Sequence, residues 1–141
     1  MRTMPFIPVL AALSLGGCLS VAEVRATSPA RTGDTPGNYF SLAECVVTKA
    51  RQAHSSRMVS YEMEDIPATR TARVVATGHY PGGLFYTIPT PLVELTFRQP
   101  DEGNVKIDGR RGPLGIRFER RMWALVSRCS ADKLSVSPPL S

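Results

Sequence analysis

The sequence lacks the features that most directly reveal an activity. It has no apolar run of about 18 residues, the length of an ordinary membrane-spanning helix. It also lacks the G-x-S-x-G turn of many serine hydrolases and the glycine-rich motifs that hold phosphates. Histidine occurs only twice and tryptophan once. The chain therefore contains no ready-made catalytic motif.

The composition is that of one small basic domain. The 141 residues leave room for a single core, and 43% of them are hydrophobic. The formal net charge is +5. Such a balance favours anionic partners, for example lipid headgroups, phosphates or an acidic protein surface.

Residues 1–17 have the pattern of an export signal. Arg2 precedes an apolar run from Met4 to Leu15, and two glycines follow this run. A positive start, a short apolar segment and small residues before a cleavage site are typical of secretory signals. We therefore predict that residues 1–17 are a signal peptide.

The segment Leu15-Gly16-Gly17-Cys18 resembles the lipobox of bacterial lipoproteins. The resemblance implies that the thiol of Cys18 receives a diacylglycerol and that the new N-terminus is acylated, for example with palmitate. Two or three acyl chains hold a protein at a membrane essentially permanently. An aspartate directly after the lipidated cysteine resembles an inner-membrane retention signal, and this sequence has Leu19 there instead. We therefore expect a periplasm-facing anchor in the outer membrane. The alternative is an ordinary cysteine within a cleaved signal.

Two cysteines remain once Cys18 is assigned to the lipid. Cys45 and Cys129 are 84 positions apart and would pair in an oxidising periplasm. A metal site or a catalytic thiol is the alternative, although neither cysteine has a C-x-x-C or H-x-x-x-H partner nearby. We predict a structural disulfide.

Two segments have helical periodicity. In residues 41–54, Ser41 and Glu44 have the spacing of a capping box, and apolar residues recur on one face. Residues 118–129 repeat that pattern. Because Cys45 and Cys129 both fall on the apolar faces, their disulfide would clamp the first helix to the last.

Between these helices the hydrophobic period falls to two residues, as in β-strands. Strands are predicted over 57–63, 71–80, 84–99 and 105–108, with turns at 81–83, at 100–104 and at Asp108-Gly109. Pro89 and Pro91 indicate an edge, a bulge or a break within the third strand.

The predicted fold is α+β, with an antiparallel sheet of four to five strands flanked by an N-terminal and a C-terminal helix over residues 38–130. An all-β barrel with a short C-terminal helix is the alternative. Residues 18–37 are rich in Ser, Thr, Ala, Pro and Gly, which predicts a lipidated flexible tether with a reach of about 25 Å. Residues 131–141 are predicted to be a flexible tail.

This order of elements resembles small exported lipoproteins of proteobacteria, a family whose roles are largely uncharacterised. The resemblance is carried by Cys18, Cys45, Trp123 and Cys129. It implies no catalytic residues.

Catalysis by histidine has a weak basis in the sequence. His79 could form a catalytic triad with Asp65 and a serine. A triad is recognised by the geometry of its three side chains, and the presence of these residue types in a sequence does not establish that geometry. In the alternative interpretation, His79 lies at a strand end. His54 lies at the C-terminal end of the first helix, where its positive form interacts favourably with the helix dipole.

Two glutamates of the first predicted strand also have alternative interpretations. Glu62 and Glu64 share a strand face, as a general acid and base would. They could equally form the solvated side of a strand whose Tyr61 and Met63 point inward.

Arginine is concentrated in the last third of the chain, at Arg110, Arg111, Arg117, Arg120, Arg121 and Arg128. In a helix, Arg117, Arg121 and Arg128 form one stripe that could bind phosphate or carboxylate groups. Alternatively, the stripe serves solubility and the negative end of the helix dipole. Trp123 would either seal the helix–sheet junction or anchor a partner.

These observations favour a membrane-anchored envelope lipoprotein that acts by binding, as an accessory of an envelope assembly or secretion machine. The alternative is an inhibitor or immunity-type lipoprotein that blocks a cell-wall hydrolase. The candidate partners are the membrane, an envelope protein and an anionic glycolipid. We expect no enzymatic activity, no cofactor and no metal. Nucleic acid is not expected either, because no aromatics interleave with the arginines.

Overall fold

A computed structural model describes residues 20–54 and 56–134 of the protein, with side chains through residue 131. The predicted signal peptide, the lipobox with Cys18, and residues 135–141 lie outside the described residues. The elements are α1 (Val21–Ala26), β1 (Arg31–Pro36), α2 (Tyr39–His54), β2 (Val59–Ile66), a 3-10 turn (Pro67–Thr69), β3 (Thr71–Pro81), β4 (Thr87–Asp101), β5 (Asn104–Arg111) and α3 (Ile116–Leu134).

The five strands form one antiparallel sheet in the order β1-β5-β4-β3-β2. Helices α2 and α3 contact each other and pack against the same sheet face. The predicted α+β fold is confirmed. The barrel alternative is wrong, because β1 and β2 lie at opposite edges of an open sheet.

The core lies between that sheet face and the two helices. Alternate residues of the central strands point into it, among them Val74, Leu95 and Ile107. Leu42 of α2 and Met122 of α3 meet them from the other side, and both are fully buried. The alternation visible in the sequence therefore places the apolar residues of each strand under the helices.

The Cys45–Cys129 disulfide is present and joins α2 to α3, with 6.0 Å between the two Cα atoms. Cys129 is fully buried and Cys45 is partly buried against the core. The predicted clamp between the two helices is confirmed.

The interpretation of residues 18–37 as a flexible tether is wrong for the described part of that segment. Ser20 caps α1, with the Glu23 carboxylate returning to the Ser20 backbone in a capping box. Residues Arg31–Pro36 then form an edge strand beside β5. Strand β1 has no apolar alternation from which it could be predicted, because it is mostly exposed at the sheet edge.

Three local predictions also differ from the structure. Helix α2 is capped by Asn38, whose Oδ1 accepts hydrogen bonds from the backbone N–H groups of Phe40 and Ser41, so the predicted capping box is wrong. Strand β5 continues through Asp108-Gly109 without the predicted turn. Helix α3 continues to Leu134, beyond the predicted domain end at residue 130.

Strand β4 continues through Pro89 and Pro91 without a break, although the register to β3 shifts beside Ala76. Both prolines precede Val93, where the pairing of β4 with β5 begins. Proline lacks a backbone donor, so it is tolerated where a strand has a neighbour on one side only.

Replacing Cys45 by alanine should lower the free energy of unfolding by about 4 kcal/mol, because the bond closes a loop with a sequence separation of 84 in the unfolded chain. Urea unfolding of the oxidised full chain measures this loss. Reducing the unchanged protein should produce a similar loss, and reducing the Cys45→Ala variant should produce none. An unchanged urea midpoint would contradict the stabilising role of the bond.

Candidate anion-binding surface on the last helix

The predicted arginine stripe is exposed along α3. Arg117, Arg121 and Arg128 all point to solvent, and Arg120 lies further round the same helix. Arg117, Arg120 and Arg121 line one shallow depression. Arg128 lies two turns beyond Arg121, a separation of about 10 Å along the axis.

Three of these arginines lie too far from the C-terminal end of α3 to interact favourably with the helix dipole. Helix α3 begins at Ile116, so Arg117, Arg120 and Arg121 lie in its first two turns. That end of a helix carries a partial positive charge, which disfavours cations. The expectation that they interact favourably with the negative end of the dipole is therefore wrong for these three, and Arg117, in the first turn, is placed unfavourably.

Two further arginines extend the basic area. Arg31 from β1 and Arg111 from the end of β5 line a depression of about 130 Å³ with Arg120. The one acid in its lining is Glu119, which is buried and accepts a 2.7 Å bond from Arg111 Nη1. Three guanidinium groups thus surround a space with one carboxylate that is already engaged.

We call the exposed residues Arg31, Arg111, Arg117, Arg120 and Arg121 the arginine surface. Arg31 was missed in the sequence because it lies in the segment interpreted as a tether. The tertiary pairing of β1 with β5 brings it to α3.

Trp123 is buried, with 5% of its surface exposed, so the alternative of an exposed partner anchor is wrong. Its indole lies on Gly33 of β1 and Gly109 of β5, where a Cβ would approach it to about 3 Å. The Arg31 guanidinium covers the ring at 4.6 Å from its centroid, within cation–π distance. Trp123 therefore seals the helix–sheet junction and orients Arg31.

Arg121 lies where the arginine surface meets the core. Its guanidinium is 5.8 Å from the Phe118 ring centroid. Burial raises the pKa of the Tyr61 hydroxyl, and the positive charge of Arg121 offsets part of that rise. Tyr61 therefore remains neutral at ordinary pH and adds no negative charge near the surface.

The other sheet face is polar and carries α1. Arg25 of α1 places Nε 2.6 Å from Oε2 of Glu94, a fully buried carboxylate in β4. Arg25 also reaches Glu64, which pairs in addition with Arg73. These contacts hold α1 across the middle of the sheet.

The glutamates of β2 do not form an acid–base pair. Glu64 forms ion pairs with two arginines, and Glu62 is exposed on the edge strand. Tyr61 is buried and Met63 partly buried, as the alternative interpretation of this strand predicted. Charged residues on an edge strand also discourage pairing with other chains.

His79 Nε2 lies 2.9 Å from Ser60 Oγ, so a serine–histidine pair exists. The proposed third member does not join it. Asp65 pairs with Ala72, seven residues along β3 from His79, which is a separation of about 23 Å. His54 is the last residue of α2, as predicted.

Within residues 20–54 and 56–134, no group of three or more His, Cys, Asp or Glu side chains is arranged to hold a metal ion. No helix in that part of the chain is long and apolar enough to cross a membrane.

The chain matches no protein-family model, no curated protein and no solved structure. Its function is therefore inferred from its own residues. The resemblance to lipoproteins, which rests largely on Cys18, stays a prediction.

Replacing Arg25 by methionine should cost about 3 kcal/mol of unfolding free energy, since it leaves the buried Glu94 carboxylate unpaired. Arg73→Met is the matched control. It removes only the contact with Glu64, whose side chain is 54% exposed, and should cost less than about 1 kcal/mol. Urea unfolding measures both, and equal losses would contradict a special role for the Arg25–Glu94 pair.

Proposed function

We propose that the protein is a lipid-anchored envelope protein that faces the periplasm and acts by binding, as an accessory of an envelope assembly or secretion machine. The observation that carries this proposal is the arginine surface. Its residues come from β1, β5 and α3, and those on α3 lie in its first two turns, far from the negative end of the helix that favours cations.

The charge of the arginine surface is largely uncompensated. Among the described side chains, Arg117, Arg120 and Arg121 have no carboxylate oxygen within the 4.0 Å of an ion pair. Guanidinium groups that lack an internal partner are free to bind phosphate or carboxylate groups in a bidentate manner. The ligand is therefore an anionic group on a glycolipid or on an envelope protein.

Two apolar side chains adjoin these arginines. Leu114 is 58% exposed and Ile116 is 52% exposed, and they lie three residues and one residue before Arg117. Exposed apolar residues beside cations suit a ligand that has both a charged and an apolar part. A phosphorylated glycolipid and a protein surface both meet this description, whereas a free inorganic anion does not use the apolar part.

The alternative function is inhibition of a cell-wall hydrolase. One observation favours it, namely the projecting hairpin between β3 and β4, whose apolar tip has a shape that could fill a cleft.

The anchor is tested by the intact mass of the protein extracted from membranes. We expect a chain that begins at Cys18 with added acyl mass and that gains two hydrogens on reduction of the Cys45–Cys129 bond. Cys18→Ser should carry no acyl mass and should be removed from membranes by an alkaline, high-salt wash that leaves the lipidated chain behind, because the thioether to diacylglycerol cannot form. A variant that resists this wash as the unchanged protein does would refute the lipid anchor.

The arginine surface is tested by replacing Arg117, Arg120 and Arg121 together with glutamine in a Cys18→Ser chain. Binding to vesicles that contain lipopolysaccharide should weaken at least about tenfold, since each lost charge-assisted contact is worth more than 1 kcal/mol. The control replaces Arg70, Arg98 and Lys106 with glutamine, which changes the net charge equally. These three residues are also exposed but lie outside the arginine surface.

Copurification from the envelope with the unmodified chain distinguishes the two ligand sources. Loss of an envelope protein from the arginine variant, with vesicle binding absent throughout, identifies a protein ligand. Equal behaviour of the arginine and control variants in both measurements would contradict the proposed surface.

A further inference from the structure

The hairpin between β3 and β4 extends beyond the rest of the sheet. Pairing with β2 ends at Gly78, and pairing of β4 with β5 begins at Val93. The His79 N–H still bonds to the Met58 carbonyl, and Pro91 is buried beside Gly112. Residues 80–90 therefore form a two-stranded arm with a neighbouring strand on neither side. At its tip Leu84 is 93% exposed, Phe85 is 98% exposed and Tyr86 is 63% exposed.

The arm carries no charge. Residues 80–93, from Tyr80 to Val93, contain no Asp, Glu, Lys, Arg or His. Water favours neither the exposed tip nor an uncharged arm, whereas an environment of lipid headgroups and acyl chains favours both. Tyrosine in particular prefers the interface, since one end of its side chain is apolar and the other is polar.

The edges of the arm are unsuited to pairing with another strand. Pro81 and Pro89 lie in it, and each lacks the backbone N–H that an added strand would need. Proline at an edge is a common device against such pairing. This argues against a second copy or a partner protein that would extend the sheet at this place.

Other exposed apolar and basic residues lie at the same end of the sheet. Met58 precedes the start of β2 at the base of the arm, and Leu114 and Ile116 follow the end of β5. Of the large hydrophobic residues exposed in the described part of the chain, only Phe40 lies at the opposite end. Arg57 and the arginine surface supply positive charge here.

The opposite end of the sheet has a different character. Asp65, Asp101 and Glu102 lie there together with the exposed cations Arg70, Arg98 and Lys106. The molecule thus has an apolar, basic end and an end of mixed charge that lacks the exposed apolar cluster, and an anionic bilayer surface would attract the basic end.

We propose that the tip of the arm, Leu84-Phe85-Tyr86, inserts into the interfacial layer of the membrane to which the protein is anchored. This inference rests on the proposed lipid anchor and gives it an orientation. Val21 of α1 lines a depression with Thr77, three residues before the arm begins. The start of α1 therefore lies beside the base of the arm.

Lipid-attached nitroxide quenchers test the insertion directly. Phe85→Trp is introduced into the lipidated full chain, which is reconstituted in vesicles of phosphatidylethanolamine, phosphatidylglycerol and a doxyl-labelled phospholipid. The introduced indole should show a blue shift and a loss of emission relative to vesicles without the label. Phe40→Trp is the matched control, since it places an indole at an exposed phenylalanine at the opposite end. The buried Trp123 supplies the unquenched background in every sample.

The outcomes separate the two proposals. Equal emission from Phe85→Trp with and without the label, in a protein that still floats with the vesicles, overturns the insertion and leaves the anchor intact. That result would favour a partner protein whose cleft holds the tip. A dimer in detergent would favour a second copy of the chain that covers the tip. A chain that fails to float refutes the anchor. Quenching in vesicles of added Cys18→Ser, Phe85→Trp protein would then still support the insertion.

Discussion

The packing of α2 and α3 on one face of the sheet, fixed by the Cys45–Cys129 bond, is the constraint on which the rest of the molecule depends. It uses the apolar side of every central strand, so the other side must be polar. It also fixes the direction of α3, whose first turns consequently lie beside the ends of β5 and the start of β1. The position of the basic residues follows from this arrangement of the core.

Trp123 links that core to the arginine surface. A large flat ring needs a flat support, and Gly33 and Gly109 supply it because neither has a Cβ. The Arg31 guanidinium lies over the same ring, 4.6 Å from its centroid. The Trp123 side chain thus contacts both β1 and β5 from α3. Because β1 packs against this side chain, Arg31 of β1 is held next to α3.

The polar sheet face has a separate organisation. Glu94 is buried there only because Arg25 of α1 reaches it, and a buried carboxylate without a cation would be strongly unfavourable. Residues 20–36 are therefore part of the domain and not of a flexible tether of about 25 Å, which flexible-chain scaling predicted.

The sequence by itself determined the elements whose side chains are divided between core and solvent. Helical and alternating periodicity identified α2, α3 and most of β2 to β5, and the count of cysteines identified the disulfide, because burial imposes a pattern on local sequence. The tertiary structure alone decided what lacks such a pattern. Strand β1 is held by backbone bonds to β5, α1 by an ion pair to a residue 69 positions away, and Arg31 reaches α3 only through strand pairing. Long-range contacts of this kind leave no local periodicity, since their partners are distant in the chain.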